Sequence, residues 1–219
     1  MRAGVITFPG SNCDRDVAVA LAASGAAVQR LWHGETELPR LDLIVLPGGF
    51  TYGDYLRCGA IAAYAPVMTE VVKRAEAGVA VLGICNGFQI LAEAGLVPGA
   101  MISNAGLKFI CRDVELEVAN TTSKFTAGYA SDQVIALPIA HHDGNYACSP
   151  DELKRLQDED RVAFRYHANP NGSTAAIAGV LGSGGNVLGM MPHPERACDP
   201  STGGTDGRPL FQSLIEALG

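Results

Sequence analysis

Three short runs in the first half of the chain constrain its fold most: residues 3–8 (AGVITF), 42–46 (DLIVL) and 79–84 (VAVLGI). Each is compact and rich in branched apolar side chains, the pattern of a strand covered on both faces. Such strands belong to parallel sheets flanked by helices. The intervening segments read as those helices. Residues 11–24 begin with Ser11 or Asn12 as cap, place Asp14 and Asp16 in the positively polarised first turn, and stop at Gly25. Residues 66–77 begin with Pro66 and end before Gly78. Beyond about residue 100 the pattern changes. VELEV at 114–118 alternates apolar with acidic residues, as a strand with one wet face does, and further strands are predicted at 133–140, 161–166, 174–181 and 186–191. An amphipathic helix over 209–218 closes the chain. The expected architecture is α/β and three-layered: a mostly parallel central sheet with helices on both faces, plus a smaller antiparallel sheet.

The 219 residues suit one large domain, 1–219, with no internal repeat or long linker; the loosest parts are expected at 182–185 and 199–208. Sixteen Lys and Arg stand against 23 Asp and Glu, a net charge of −7, and the basic residues form no run able to follow a phosphate backbone, so nucleic acid is not an expected partner. No apolar run reaches the roughly 18 residues of a membrane span, and the opening MRAGVITFPG lacks the apolar segment of a signal peptide. No membrane association and a cytoplasmic location are expected. Six cysteines without a CxxC pair spell neither a zinc ribbon nor a dithiol redox motif, and no metal site is expected.

The chemistry concentrates in VAVLGICNGFQILAEAG at 79–95, where an apolar strand runs into Gly83, Cys85 and Gly87 and a helical segment follows at once. This is a G-x-C-x-G form of the nucleophile elbow, a strained strand-to-helix turn that needs small neighbours and presents its central side chain at a helix N-terminus. There the helix dipole and unpaired N–H groups favour the anionic, nucleophilic form of a thiol. A nucleophile also needs a base. Of five histidines only His193, in MPHPE at 191–195, has an acid placed to orient it: in an extended segment Glu195, two residues on, lies on the same side. The turn PGGF at 47–50, directly after a buried strand, offers free backbone N–H groups, and the N–H groups of Gly49 and Asn86 are the predicted oxyanion donors. These parts describe acyl transfer through a thioester. They leave the acyl group open.

GICNGFQIL, MPHPE and PGGF together resemble the class I glutamine amidotransferases, whose triad is Cys, His and Glu, and the resemblance extends over nearly the full chain. Within that class, GVITFPGSNCDRD at 4–16, PGGFTYGDYLRCGAIA at 47–62 and MPHPERACDPSTGGTDGRPLF at 191–211 are similar to the glutaminase subunits that serve purine biosynthesis. The resemblance implies that Cys85 attacks the side-chain amide of L-glutamine, that His193 protonates the departing ammonia, and that water releases glutamate. It gives substrate-binding roles to Gln89, His141 and His142, although the relatives more often read His-Gly-Glu-Gly where this chain has His141, His142, Asp143 and Gly144. It also implies that the ammonia goes to a synthetase that forms formylglycinamidine ribonucleotide with ATP. This chain has no phosphate loop of the G-x-x-x-x-G-K-[ST] type and no evident carboxylate set for magnesium, so no cofactor is expected on it, and ATP and magnesium belong on a larger synthetase subunit joined by a small third subunit. Tyr52, Asp54, Tyr55 and Arg57 are the expected contacts with that partner.

Two other readings compete: an amidotransferase subunit for another acceptor, and a non-catalytic module that binds glutamine as a regulator. Cys58 is the best competing nucleophile, but no strand-to-helix turn surrounds it. His167 has no acid two residues away, and a structural role is expected for it.

Overall fold

The computed structural model describes residues 1–201 and 203–219; Thr202, inside the segment expected to be loose, lies outside the described residues. In chain order the elements are β1 (Arg2–Thr7), α1 (Asp14–Ala23), β2 (Ala27–Trp32), β3 (Leu43–Leu46), α2 (Pro66–Glu76), β4 (Ala80–Ile84), α3 (Asn86–Glu93), β5 (Ala100–Ile102), β6 (Ile110–Val118), β7 (Val134–His141), β8 (Asn145–Ala147), α4 (Pro150–Asp158), β9 (Val162–Tyr166), β10 (Ile177–Leu181), β11 (Val187–Met190) and α5 (Arg208–Leu218). Nine strands form one sheet in the order β2-β1-β3-β4-β11-β10-β9-β6-β7, and β5 and β8 make a separate antiparallel pair. The pairings from β2 to β11 are all parallel, and those from β11 to β7 all antiparallel. The antiparallel strands of the second half thus mostly extend the main sheet.

Strand burial follows position. Every residue of β3, β4, β10 and β11 is buried, as strands covered on both sides must be. Edge strand β2 buries only Leu31, which is why AVQRLW lacks the continuous apolar run that marks its neighbours. Helix α1 is capped by the backbone at Cys13, with no side-chain cap bond, in place of the expected Ser11 or Asn12; Ser11 Oγ instead accepts the N–H of Phe8 at 3.0 Å. Helix α4 buries only Leu156 and is held at its start by Ser149, whose side chain accepts the Glu152 N–H.

From β1 the chain moves outward to β2, whereas from β3 it moves the other way to β4. Right-handed crossovers therefore set α1 and α2 on opposite faces. The reversal falls between β1 and β3, and in such sheets the crevice beyond the strand ends at that point is where ligands sit. Backbone bonds weld the loops there: Phe50 N–H to Gly10 O at 2.9 Å, and the Asn12 and Cys13 N–H groups to Gly48 O at 3.3 and 3.2 Å. The far edge also reaches this point. In a flat sheet β7 would stand about 19 Å from β11, yet the His193 N–H, just beyond β11, donates to Pro138 O of β7 at 2.9 Å. The antiparallel half therefore curls back over the C-terminal ends of the parallel strands.

Two glycines set how closely α3 approaches the sheet. A Cβ on Gly87 would lie 1.9 Å from the Leu46 carbonyl oxygen, and one on Gly83 would lie 2.6 Å from Gly87 O. Both contacts are with backbone, which cannot swing aside. Gly87→Ala is expected to lower stability by about 3 kcal/mol or more, read as a fall in the urea midpoint; an unchanged midpoint would refute this account of the helix–sheet contact.

Candidate active site

Strand β4 ends in Ile84 and α3 begins at Asn86, so Cys85 alone makes the turn. Its backbone adopts φ 50° and ψ −107°, a conformation side chains rarely take and one that surrounding structure must enforce. The enforcement is visible in the Cys85 N–H, which donates to Met190 O of β11 at 2.8 Å, and in the glycine contacts just described. Cys85 Sγ then lies 3.7 Å from the carbonyl oxygen of Ala140, near the end of the curled strand β7.

His193 and Glu195 follow β11, which runs parallel to β4, so they emerge at the same edge. They do not form the extended segment expected from the sequence. His193 turns at φ −102° and ψ 87°, and Pro194–Arg196 form a single 3-10 turn that swings Glu195 under the imidazole. Nδ1 and Glu195 Oε1 are 2.7 Å apart, with both side chains almost wholly out of water. Burial works against the imidazolium, but the Glu195 carboxylate, and after it Cys85, reverse that effect and hold the His193 pKa well above the ordinary value. Nε2, the other ring nitrogen, is buried without a hydrogen-bond partner.

The PGGF turn lies beside the thiol. Gly49 lines a 280 Å³ cavity together with Phe50, Asp54, Cys58, Cys85, Gln89 and residues 140–143. The N–H of Asn86, as the first of α3, has no acceptor within its own helix. The Asn86 side chain braces the neighbourhood: Oδ1 accepts the Thr51 N–H at 3.1 Å, and Nδ2 donates to Gln89 Oε1 at 2.8 Å. Gln89 Nε2 in turn donates to the carbonyl oxygen of Asp143 at 2.8 Å. Gln89 is therefore buried against the 139–146 loop and is not an ordinary helix-surface residue.

His141 and His142 behave differently. The Asn104 amide nitrogen donates to the carbonyls of Lys108 and His141, which fixes its Oδ1 as an acceptor; that oxygen takes the Gly144 N–H and faces His141 Nδ1, both at 3.0 Å. Nδ1 of His141 therefore carries the proton. Burial first, and His193 second, lower its pKa to about 4, so the ring is neutral and its buried Nε2 is a bare acceptor. His142 is exposed and pairs with Asp143 at 2.8 Å.

Three acid and thiol groups in the cavity escaped sequence reasoning as a cluster because they come from two loops far apart in the chain. Cys58 Sγ donates to Asp143 Oδ2 at 3.0 Å, and Asp54 accepts from Asn86 Nδ2 at 3.4 Å. Burial and the two carboxylates push the Cys58 thiol pKa far up, which disfavours its thiolate. Of the residues expected to face a partner, Asp54 thus turns into the cavity, Tyr52 bonds His33 through its hydroxyl at 2.7 Å, and Arg57 pairs with Glu93. Tyr55 is 74% exposed and its neighbours Leu56 and Tyr64 are 93% and 91% exposed. His167 is exposed and outside the cavity.

With this geometry in hand, comparison with known proteins is direct. The family model for the CobB/CobQ-like glutamine amidotransferase domain matches residues 1–204. Phosphoribosylformylglycinamidine synthase subunit PurQ of Novosphingobium aromaticivorans is 61% identical over 98% of this chain and 96% of its own length. The PurQ subunit of Roseobacter denitrificans is 58% identical over 100% of this chain and 99% of its own. Among solved structures, PurLQS from Thermotoga maritima superposes with a TM-score of 0.93 at 45% identity, covering 100% of this chain and 99% of that one. The chain belongs to the glutamine amidotransferase family. Within that class it falls among the PurQ subunits of phosphoribosylformylglycinamidine synthase.

The contrast between the cysteines is measurable. After brief alkylation at pH 8, peptide mapping is expected to find Cys58 unmodified. Asp143→Asn removes a charge and an acceptor from its thiol, and each unit by which its pKa falls gives about tenfold more thiolate and faster labelling; equal labelling in both proteins contradicts this assignment.

Proposed function

We propose that this chain is the glutaminase of an ATP-dependent synthase in purine biosynthesis, releasing glutamate and passing ammonia to a synthetase partner. The observation that carries this reading is the arrival of a strained elbow cysteine and a buried His193–Glu195 pair at one edge of the sheet, in a chain 61% identical to a PurQ subunit. Cys85 Sγ attacks the γ-carboxamide carbon of L-glutamine, and the developing oxyanion takes hydrogen bonds from the N–H groups of Gly49 and Asn86. His193, its proton held in place by Glu195, transfers a proton to the amide nitrogen as the C–N bond breaks. Water, giving a proton back to His193, then hydrolyses the thioester. Gln89, His141 and His142 shape the amino-acid end of the pocket, and Asp54 and Asp143 supply the negative charge that suits an α-ammonium group.

ATP and magnesium act on the synthetase subunit, and L-glutamine is this chain's own substrate. No helix among the described residues is long and apolar enough to cross a membrane, and the cytoplasm is the compartment where this reaction is proposed to run. The apolar residues left open to solvent beside the cavity, Tyr55, Leu56 and Tyr64, are the proposed landing for the synthetase, since an exposed apolar group rimmed by charge marks interaction surfaces.

Cys85→Ser is expected to abolish covalent labelling by a glutamine analogue, as Cys58→Ser is not. Glu195→Gln should cost about a hundredfold or more in kcat with glutamine binding largely kept. Without the carboxylate the His193 pKa falls, so the imidazolium is lost earlier on raising pH and the alkaline limb of kcat/KM moves to lower pH; a limb that stays put removes Glu195 from the triad. Leu56→Asp combined with Tyr64→Asp is expected to weaken stimulation of glutamate release by the synthetase subunits while analogue labelling of Cys85 persists. Undiminished stimulation would place the interface elsewhere.

A further inference from the structure

The cavity beside Cys85 is lined by an imidazole whose state is set by a residue outside the cavity. His141 is buried, and Asn104 reaches its ring from the loop after β5. Asn104 is itself wholly buried and uses every polar position of its side chain. Nδ2 donates to Lys108 O at 2.8 Å and to His141 O at 3.0 Å, while Oδ1 accepts the Gly144 N–H and faces His141 Nδ1, both at 3.0 Å. An amide whose nitrogen is committed to two carbonyls has only its oxygen left for the ring. The proton is therefore fixed on Nδ1.

The backbone around the ring is held as firmly. The Asn104 N–H donates to His142 O at 2.9 Å, and from the other side Asn171 Nδ2 donates to Gly144 O at 2.7 Å. Gly144 packs against the ring: a Cβ there would lie 2.2 Å from both Cε1 and Nδ1, so any larger residue would displace the imidazole or the loop. With Nδ1 committed, Nε2 is the one ring nitrogen left for a ligand, and it is buried without a protein partner. A buried acceptor left unpaired costs free energy that a donor from a ligand would recover. Titratable groups surround it from three sides. Cys85 and His193 come from the ends of the parallel strands, Asp54 and Cys58 from the loop after β3, and His142 and Asp143 from its own loop. Burial and then His193 outweigh the pull of Asp143 and keep the ring neutral.

Resting on the glutaminase reading, we propose that Asn104 is a positioning residue: it locks His141 in the Nδ1–H form, so that Nε2 stands as a permanent acceptor for an N–H of the α-ammonium group of glutamine. The opposite tautomer would turn an N–H toward that group, and an imidazolium would add a like charge. Both oppose the binding of a cation. Asp54 and Asp143 attract an ammonium without directing it, because a carboxylate has about four lone-pair sites, whereas a neutral imidazole has one, in the plane of its ring. A ring fixed in place and in tautomer gives the amino end of the substrate one orientation, and with it the approach of the γ-carboxamide to Cys85. Asn104 itself touches no substrate and acts only through His141.

Nitrogen NMR of the full chain carrying ¹⁵N-histidine tests the lock directly, because protonated and bare ring nitrogens resonate far apart; His141→Gln identifies the signals. At neutral pH the His141 ring is expected to show a protonated Nδ1 and a bare Nε2. A protonated Nε2 overturns the proposal, whether or not any Asn104 variant folds. Cys85→Ser holds L-glutamine without forming the thioester, and saturating it is expected to shift the Nε2 signal as that nitrogen accepts a hydrogen bond; an unmoved signal in the loaded protein overturns the contact. In the complex reconstituted with its synthetase subunits, Asn104→Asp sets a carboxylate beside Nδ1 and favours the imidazolium, so the charged ring persists to higher pH. The acid limb of kcat/KM is then expected to move up by about one pH unit or more, a roughly tenfold loss on the acid side carried by KM. A merely structural role would lower activity at every pH and leave the limb in place, and that result in the folded variant overturns the proposal. If the unmodified complex releases no glutamate, the glutaminase reading falls and the substrate role of His141 falls with it, even where the tautomer is as expected.

Discussion

A carboxylate withdrawn from water needs a positive partner close by, and Glu195 has one at 2.7 Å. That contact organises the site. It orients the imidazole, keeps its proton, and leaves Nε2 on the side away from Glu195. The single 3-10 turn at Pro194–Arg196 exists to make the contact, since extended backbone would hold the two side chains further apart. Removing either group alone would strand the other in a low-dielectric interior.

The rest of the architecture serves to bring distant segments to this pair. Parallel strands deliver Cys85 and His193 to one edge, because β4 and β11 are neighbours with the same direction. The reversal between β1 and β3 opens the crevice, and the backbone bonds between residues 10–13 and 48–50 close its floor. The curl of the antiparallel half supplies the opposite wall, with Ala140 above the sulfur and the 141–144 loop above Gln89. Each wall is backbone-bonded, so the side chains that matter are placed by rigid elements.

The sequence was most legible where one segment determines its own surroundings. β1, β3 and β4 announce themselves because both faces are apolar, and the elbow does so because Gly83 and Gly87 are needed for contacts within a few residues and with the adjacent strand. His193 and Glu195 were legible as a pair through spacing, although the turn that joins them was not. What stayed hidden depends on long-range convergence. β2 and α4 bury one residue each on an edge or a surface, so neither contains a run of apolar residues. The Asp54, Cys58 and Asp143 cluster joins loops 85 residues apart in the chain, and the bond from Arg196 to Cys13 spans 183. No local pattern encodes such meetings.

That separation has a consequence for biosynthesis. Cys85, the proposed nucleophile, is synthesised long before His193, its proposed base, and between them come β6, β7, β9 and β10, which must all pair before the curled edge can meet residue 193. A ribosome-bound chain ending near residue 190 has the elbow but lacks His193. On the proposed mechanism, thioester chemistry therefore waits for the end of the chain, and the thiol becomes useful only when translation is nearly over.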